Sequence, residues 1–530
     1  LLKEAKPDCL EDLVALNALY RPGPMDLIPS FIERKFGREK VTYLDQRMEP
    51  VLRETYGIMV YQEQVMRVAQ VVGGYSLGGA DLLRRAMGKK NVEEMKRQRA
   101  VFVKGAGERG VSESVATEIF DLMEKFAGYG FNKSHAAAYS YVAYQTAYLK
   151  VHHTAAFMAA NLCMVMDQAD KMKGLIDDAK HNGVTLLPPD INKSDWFFTA
   201  PDPTHIRFGL GGIKGMGQQQ VELLMQVRRE GGPFKDLFDF TERVPNMNQR
   251  LLESLVRSGA FDSIEPNRAK LMANVRNAID AGQKAIENAG QTSLFGDIDE
   301  APAIVWIEAV EWTDAQKLLG EKEALGFWLS GHMFDCYAKE LANYQAMPLA
   351  KALTLHTSKG GQEVRLAGVV TAVKVVQGAK GRFAAITIDD GTTKLEVRCF
   401  SEAWEEYRNT FVPDQIVCLR VQVRWSDFRK ANSFSVLEAM DLPSYRASNA
   451  KHLSLALGEG FSKKDFAELK AALNAAKDEN KKDIGINVCV RVQADKLEGE
   501  VYLPFTVVAT DEMIQRLGNL PGVVAHTLCY

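Results

Sequence analysis

Two hydrophobic periods divide the chain. From residue 1 to about 190, apolar positions recur every three to four residues between Gly and Pro punctuation, the spacing of amphipathic helices. Around 190–212 the pattern shortens. Pro188-Pro189, Trp196-Phe197-Phe198 and the alternating Ile206-Arg207-Phe208-Gly209 predict a small extended element at a boundary. Residues 213–290 return to helices with tight turns, and 291–360 mix a short apolar motif, acidic residues and two helical segments, as a linker region does. Beyond about 362 the period is two. Val364–Val376, Arg382–Asp389, Lys394–Phe400, Gln415–Trp425 and Ser433–Met440 predict five strands, with Gly378, Gly381 and Gly391 in the turns. Five short strands in that space point to a small closed barrel of the OB type. After Pro443 a polar stretch, a helix near Lys463–Ala476, strands near Ile486–Val492 and Glu500–Val508, and a last helix from about Asp511 predict a small α/β unit.

Composition narrows the class without naming a chemistry. With 530 residues, 46% hydrophobic and 25% charged, the chain is an ordinary folded protein of several domains. No apolar run is long enough to span a membrane. The seven cysteines form no CxxC pair, which fits a reducing cytosol and argues against a disulfide framework or zinc ribbon. A net charge of −3 excludes a uniformly basic nucleic-acid binder but permits local basic faces. The start, Leu1-Leu2-Lys3-Glu4, reads as the continuation of a longer protein.

Two segments of the helical region suit anions. Asp81-Leu-Leu-Arg84-Arg85-Ala-Met-Gly88-Lys89-Lys90 places two guanidinium forks and two ammonium groups at a helix end; a solvated basic helix end is the plainer reading. Phe126-Ala-Gly128-Tyr129-Gly130-Phe131-Asn132-Lys133-Ser134-His135 precedes a long apolar helix that Asn132 or Ser134 can cap, and free N–H groups there can take an anion. Asn132 stands where a P-loop needs glycine, so a Walker A reading is rejected. Tyr139, Tyr144 and Tyr148 along that helix read as core.

Ile213-Lys214-Gly215-Met216-Gly217 before the helix Gln218–Arg229 is a helix-hairpin-helix pattern. Its glycines let backbone N–H groups meet a DNA phosphate whatever the base sequence. A second unit, from Asn248–Arg257 through Ser258-Gly259-Ala260, has a single glycine in its turn. Gln291-Thr292-Ser293-Leu294-Phe295, flanked by acidic residues, has the form of a linear peptide that seats Leu294 and Phe295 in a partner's pocket; a loop anchored on its own domain is the alternative. No set of carboxylates converges as two-metal nucleotidyl transfer needs, so no catalytic residue and no metal ligand is assigned in this chain.

Arg21-Pro22-Gly23-Pro24, Tyr61-Gln62-Glu63-Gln64, Arg84-Arg85-Ala-Met-Gly88-Lys89-Lys90 and Gly128-Tyr129-Gly130-Phe131-Asn132-Lys133-Ser134-His135, in this order, closely resemble the fingers region of the bacterial C-family replicative polymerases, the DNA polymerase III alpha subunits. The resemblance runs on through the hairpin unit, the Gln-x-x-Leu-Phe peptide and the barrel. It implies fingers over 1–195, a helix-hairpin-helix and clamp-binding domain over 196–300, a helical linker over 301–360, an OB-fold over 361–445 and a tau-binding domain over 446–530: all-α first, then a β-barrel and a small α/β domain. It implies that Arg84, Arg85 and more weakly Lys89 meet the triphosphate of an incoming dNTP, with Lys133 near, and that Ser134 and His135 lie beside its sugar. Lys214, Gly215 and Gly217 would hold primer-template duplex. Arg424, Trp425 and Phe428 would meet single-stranded template, and Gln291, Leu294 and Phe295 would dock in the sliding clamp (beta). The clamp-loader tau subunit would bind the C-terminal unit. Mg2+ would be held by a palm domain outside these residues, the setting would be the bacterial cytoplasm, and the chain alone would be inactive. The competing readings are a non-catalytic DNA- and clamp-binding adaptor and an error-prone C-family paralogue. Linkers near 291 and 445 suggest modules that move.

Overall fold

A computed structural model describes the chain except residues 89–91, 128–129, 246, 291–304, 356–360, 379–380, 427–429, 459–460, 476–484, 495–496 and 509. Lys89, Gln291, Leu294, Phe295 and Phe428 therefore lie outside the described residues. The chain forms two compact units, Leu1–Met158 and Ala159–Tyr530. As the two periods predict, helices come first and a barrel follows.

The first unit is helical. Three of its helices position the motifs: α1 (Gln62–Val71), α2 (Leu77–Gly88) and α3 (Lys133–His152). One core, around Phe102, Phe120, Met123 and Leu83, packs α1 and α2 against two longer helices; a second gathers Leu16, Leu19, Phe31, Val60, Tyr61 and Ala136. Beside the second core, Asp12 is almost wholly buried yet satisfied: Lys35 Nζ sits 2.5 Å from it, and the Tyr56 hydroxyl donates to it at 3.0 Å.

In the second unit a helix over Ala169–His181 precedes a three-stranded sheet, β1 (Thr185–Leu187), β2 (Thr199–Asp202) and β3 (His205–Arg207), in the order β1-β3-β2; β2 and β3 are the extended element expected over 190–212. Then come α4 (Gln218–Gly231), α5 (Gln249–Arg257), α6 (Arg268–Gly290), α7 (Asp314–Leu325) and α8 (Met333–Leu341). Asn248 caps α5 through Leu251 N–H, and Leu251, Leu252, Leu255 and Val256 give it one buried stripe. A Thr313/Gln316 capping box starts α7, and Gly326 (φ 93°) ends it in the left-handed conformation that glycine alone adopts freely.

Strands β4 (Gln362–Gly378), β5 (Gly381–Asp389), β6 (Lys394–Phe400), β7 (Ile416–Ser426) and β8 (Ala431–Asp441) close into a barrel in the order β4-β5-β6-β8-β7. Alternation puts Ala384, Ile386 and Ile388, Leu395, Val397 and Cys399, and Val417, Leu419, Val421 and Val423 inside. Helix α9 (Leu442–Asn449) leads to β9 (His452–Leu457), α10 (Lys463–Ala475), β10 (Gly485–Ala494), β11 (Leu497–Val508), α11 (Asp511–Gly518) and β12 (Val523–Cys529), a sheet ordered β11-β10-β9-β12 with its own core.

The joint near 445 is not the free linker that the polar stretch suggested. Arg446, buried on α9, ion-pairs with Glu340 of α8 at 2.7 Å and with Asp511 of α11 at 2.7 Å. The Tyr530 hydroxyl bonds Glu340, and its ring stacks on Tyr445. Local polarity misled because these charges neutralise one another across elements distant in sequence.

Candidate functional site

Four segments that the sequence keeps apart meet around Phe131. Arg21 holds its guanidinium 4.3 Å from the centre of the Phe131 ring. Gln62 N–H donates to the Phe131 carbonyl at 2.9 Å and Phe131 N–H to the Val60 carbonyl at 3.2 Å, a one-residue parallel bridge. The Gln62 side chain then reaches both ways: its Nε2 donates to the Gly130 carbonyl at 3.0 Å, and its Oε1 accepts from Arg84 at 3.3 Å. Arg21, Gln62, Arg84 and the residues opening α3 thus form one cluster.

Three cations at this junction, Arg84, Arg85 and Lys133, are already paired with carboxylates. Arg84 and Arg85 share Asp81, each at 2.8 Å, and the hydrogen bond from Arg84 holds the Asp81 carboxyl below its usual range. Lys133 Nζ sits 2.7 Å from Glu54 and 5.5 Å from the centre of the Tyr61 ring. The start of α3 is occupied too. Asn132 accepts from His135 N–H at 2.8 Å, while Glu63 accepts from Lys133 N–H at 3.0 Å and from the Asn132 amide at 2.8 Å. The Glu63 carboxylate therefore stands where the sequence suggested an anion would, favoured by the same helix-terminus charge. Ser134 and His135 are exposed at that end, His135 edge-on to Phe131 at 5.4 Å and 4.5 Å from Tyr139.

The α3 tyrosines are not core. Tyr139, Tyr144 and Tyr148 are 61%, 51% and 48% exposed, and of the helix only Ala136 and Ser140 are buried. Their rings meet at a tilt along the helix instead, Tyr144 and Tyr148 with centres 6.3 Å apart and Tyr148 and His152 4.4 Å apart. Apolar residues on all sides of a helix signal burial in general, but they do not say which chain does the burying.

The first hairpin is built in the opposite way. Gly215 adopts φ +88°, and a Cβ on Gly215 or Gly217 would meet nothing within 4 Å. Gly217 opens α4 with no side-chain cap, so the first N–H groups of that helix face open space. Lys214 is anchored by its backbone, N–H to the Ala324 carbonyl at 2.8 Å, and its Nζ reaches the Lys322 carbonyl at 3.3 Å. A cavity of about 650 Å³ joins Lys214 and Gly215 to Asn248, Arg250 and Arg257 of the second hairpin. Arg257 is paired with Glu253 and Glu323, both at 2.9 Å, whereas Arg250 is exposed. Sequence reading missed Arg250 because its neighbour across the cavity is 35 or so residues away.

A buried pair holds this arrangement. Arg268, buried at the start of α6, bonds Asp262 at 2.7 Å and Glu321 of α7 at 3.3 Å; Glu321 also accepts from Leu329 and Ser330 N–H at 2.8 and 2.9 Å. Burial would lower the Arg268 pKa, but the two carboxylates outweigh it and raise it.

In the barrel, Arg424 and Trp425 end β7 opposite Ser433 and Asn432. Both are exposed, yet as neighbours on a strand they project to opposite faces, so they do not make one surface. None of the seven cysteines is disulfide-bonded, and no helix among the described residues is long and apolar enough to cross a membrane. One cluster among them has metal-ligand types, Asp8, Cys9 and Asp12. The Lys35 ammonium lies 3.2 Å from Asp8 and 2.5 Å from Asp12, supplying the positive charge there, so the donor set does not fit a metal.

Three family models match: the bacterial DNA polymerase III alpha subunit finger domain over residues 1–110, the helix-hairpin-helix motif over 183–271, and the OB-fold nucleic acid binding domain over 364–438. The chain is 44% identical over 483 residues to DNA polymerase III subunit alpha of Vibrio cholerae, covering 88% of this chain and 41% of that protein. It is 45% identical over 477 residues to the Neisseria meningitidis subunit, covering 89% and 41%. Similarity to the Haemophilus influenzae subunit covers all of this chain and 46% of that protein, at 41% identity. The chain thus spans less than half the length of these relatives. With similarity continuous through the finger, hairpin and barrel regions, it belongs to the family of bacterial DNA polymerase III alpha subunits.

Proposed function

We propose that this chain is the part of a replicative DNA-directed DNA polymerase that positions the incoming dNTP and holds the DNA. The convergence of Arg21, Gln62, Arg84 and the Phe131–His135 segment carries the reading. Four motifs dispersed in sequence assemble beside exposed Ser134 and His135, where an arriving ligand would meet all of them at once. In the working polymerase Arg84 and Arg85 exchange Asp81 for the triphosphate, Lys133 exchanges Glu54, and Ser134 and His135 face the sugar. The Gly215–Gly217 turn and Lys214 grip duplex phosphates without base preference, and the barrel takes single-stranded template. The carboxylates near these cations serve them as counter-ions. Mg2+, which supplies the metal chemistry of nucleotidyl transfer, would be held by residues outside this chain, and the chain alone would be inactive.

Single-nucleotide primer extension by the whole polymerase tests the reading. Arg84→Ala should raise the KM for dNTP at least tenfold, whereas unchanged KM and kcat would remove Arg84 from the triphosphate site. Residues 291–295 are proposed to dock in the sliding clamp, and the C-terminal unit to meet tau. Fluorescence anisotropy of labelled clamp should show Phe295→Ala weakening binding at least tenfold, about 1.4 kcal/mol; equal binding would place the contact elsewhere.

A further inference from the structure

We propose that Lys322 of α7 couples the hairpin to the barrel through Asp414, so that the duplex and the single strand of one DNA molecule are bound cooperatively rather than independently. The proposal rests on the duplex reading of the hairpin and the single-strand reading of the barrel given above, and adds a positioning pair that neither reading uses.

One residue touches both modules. The Lys322 carbonyl accepts from Lys214 Nζ at 3.3 Å, and the Ala324 carbonyl accepts from Lys214 N–H at 2.8 Å, so the end of α7 holds the hairpin turn. The Lys322 side chain reaches the barrel instead. It ion-pairs with Asp414, in the loop before β7, and its Nζ lies 5.2 Å from the centre of the Trp328 ring. That loop is tied to β4: Asp414 N–H donates to the Val370 carbonyl at 2.8 Å, and Val370 N–H donates to the Gln415 carbonyl at 2.9 Å. Leu318 of α7 and Met333 and Leu341 of α8 share one core with Val369, Ile416 and Cys418 of the barrel. The helices between hairpin and barrel are therefore packed on the barrel and do not form a loose tether.

Two features set the ion pair apart from incidental packing. Asp414 has φ 69°, the left-handed conformation that glycine takes more freely, so the position keeps a carboxylate at a backbone cost. A cavity of about 530 Å³, lined by Trp312, Gln316 and Gly320 as well as by Lys322 and Asp414, adjoins the pair, so close packing does not force the two side chains together. A fixed spacing between two sites makes the second binding event intramolecular, with a high effective concentration that falls once the sites move independently. A primer-template, in which duplex continues as single strand, engages both sites. Losing the ion pair leaves the two carbonyls that hold Lys214 in place and loosens only the spacing.

The test is fluorescence anisotropy of the full 530-residue chain, at matched salt, with a labelled duplex, a labelled oligo(dT), and the same duplex carrying that oligo(dT) as an overhang. The wild type should bind the joined probe well beyond the tighter of the two simple ones. Asp414→Asn keeps a residue suited to the left-handed backbone and removes the charge. It should bind each simple probe as the wild type does and the joined probe about tenfold more weakly. Lys322→Ala should behave in the same way, and Lys322→Arg should bind all three probes like the wild type. If the wild type fails to bind the duplex or the oligo(dT), the reading of that module falls and the coupling falls with it. If it binds both, but the joined probe no more tightly than the better simple one, the coupling alone is overturned. Wild-type binding of the joined probe by Asp414→Asn would overturn the role of the ion pair, and so would a parallel loss on all three probes, which is the mark of a merely structural contact. If Lys322→Ala does not fold, Asp414→Asn decides.

Discussion

The finger cluster and the first hairpin carry similar groups in opposite states. In the finger cluster Arg84, Arg85, Lys133 and the α3 N-terminus are all matched with carboxylates of the same unit: Asp81, Glu54 and Glu63. In the hairpin the α4 N-terminus is uncapped, Gly215 and Gly217 open onto space, and Arg250 is exposed. An anion reaching the hairpin meets a preformed surface. An anion reaching the fingers must displace an internal competitor, so binding there is coupled to rearrangement. That difference matches the function proposed above, in which duplex is held continuously and nucleotides are admitted one at a time.

The hairpin's openness rests on a buried support, and removing it should have the largest effect. Arg268→Ala leaves Glu321 buried without its cation, a change that costs about 3–5 kcal/mol. Because α7 carries both Glu321 and the carbonyls that hold Lys214, the hairpin should loosen as well. Denaturant unfolding of the chain would read this directly. An unchanged midpoint would mean that the turn keeps its shape without the pair, and the account of the preformed surface would fail.

Lys214→Glu should weaken duplex binding roughly tenfold and lower the salt slope by about 0.9 to 1.8, since one favourable phosphate contact becomes a repulsive one. The loss should be the same for unrelated duplex sequences in electrophoretic or anisotropy titrations. A loss confined to one sequence would mean that Lys214 reads bases.

How much of this could be read from the chain depends on the distance over which each feature is encoded. The barrel was legible because strand alternation is local: Val417, Leu419, Val421 and Val423 announce their buried side within seven residues. The Gly215–Gly217 turn was legible because φ +88° calls for glycine. The partners in the finger cluster were not. Lys133 and Glu54 lie 79 residues apart, and Glu63 and Asn132 lie 69 apart, so no spacing rule foretells that a carboxylate fills the helix end. The exposed α3 tyrosines failed for another reason. Their apolar pattern is real, but pattern reports what a surface is made of and not what covers it.

Acid offers a way to stress the finger unit through a pair that has nothing to do with ligands. Burial alone would raise the Asp12 pKa, but hydrogen bonds from Lys35, Asp8 N–H and Tyr56 outweigh it and hold the carboxyl below its ordinary value. A depressed native pKa contributes stability above the unfolded carboxylate value, about pH 3.9, and loses it as pH falls through the lower native value. Thermal unfolding should therefore show the wild type losing an increment below about pH 4 that Asp12→Asn never had. Parallel pH profiles would show that the pair contributes no pH-linked stability.

The smallest expected effect bears most directly on the comparison. If Asp81 competes with an arriving triphosphate for Arg84 and Arg85, then Asp81→Asn should bind nucleoside triphosphate more tightly, not less. These ion pairs are open to solvent and therefore weak, so the gain should be small, roughly one and a half to fivefold. Inhibition of primer extension by a non-hydrolysable triphosphate would report it in the whole polymerase, with the gain shrinking as salt rises. Weaker binding would mean that Asp81 orients the arginines for the ligand rather than shielding them from it. The fingers would then be as preorganised as the hairpin, and the contrast between the two regions would reduce to which groups, side chains or backbone, face the phosphate.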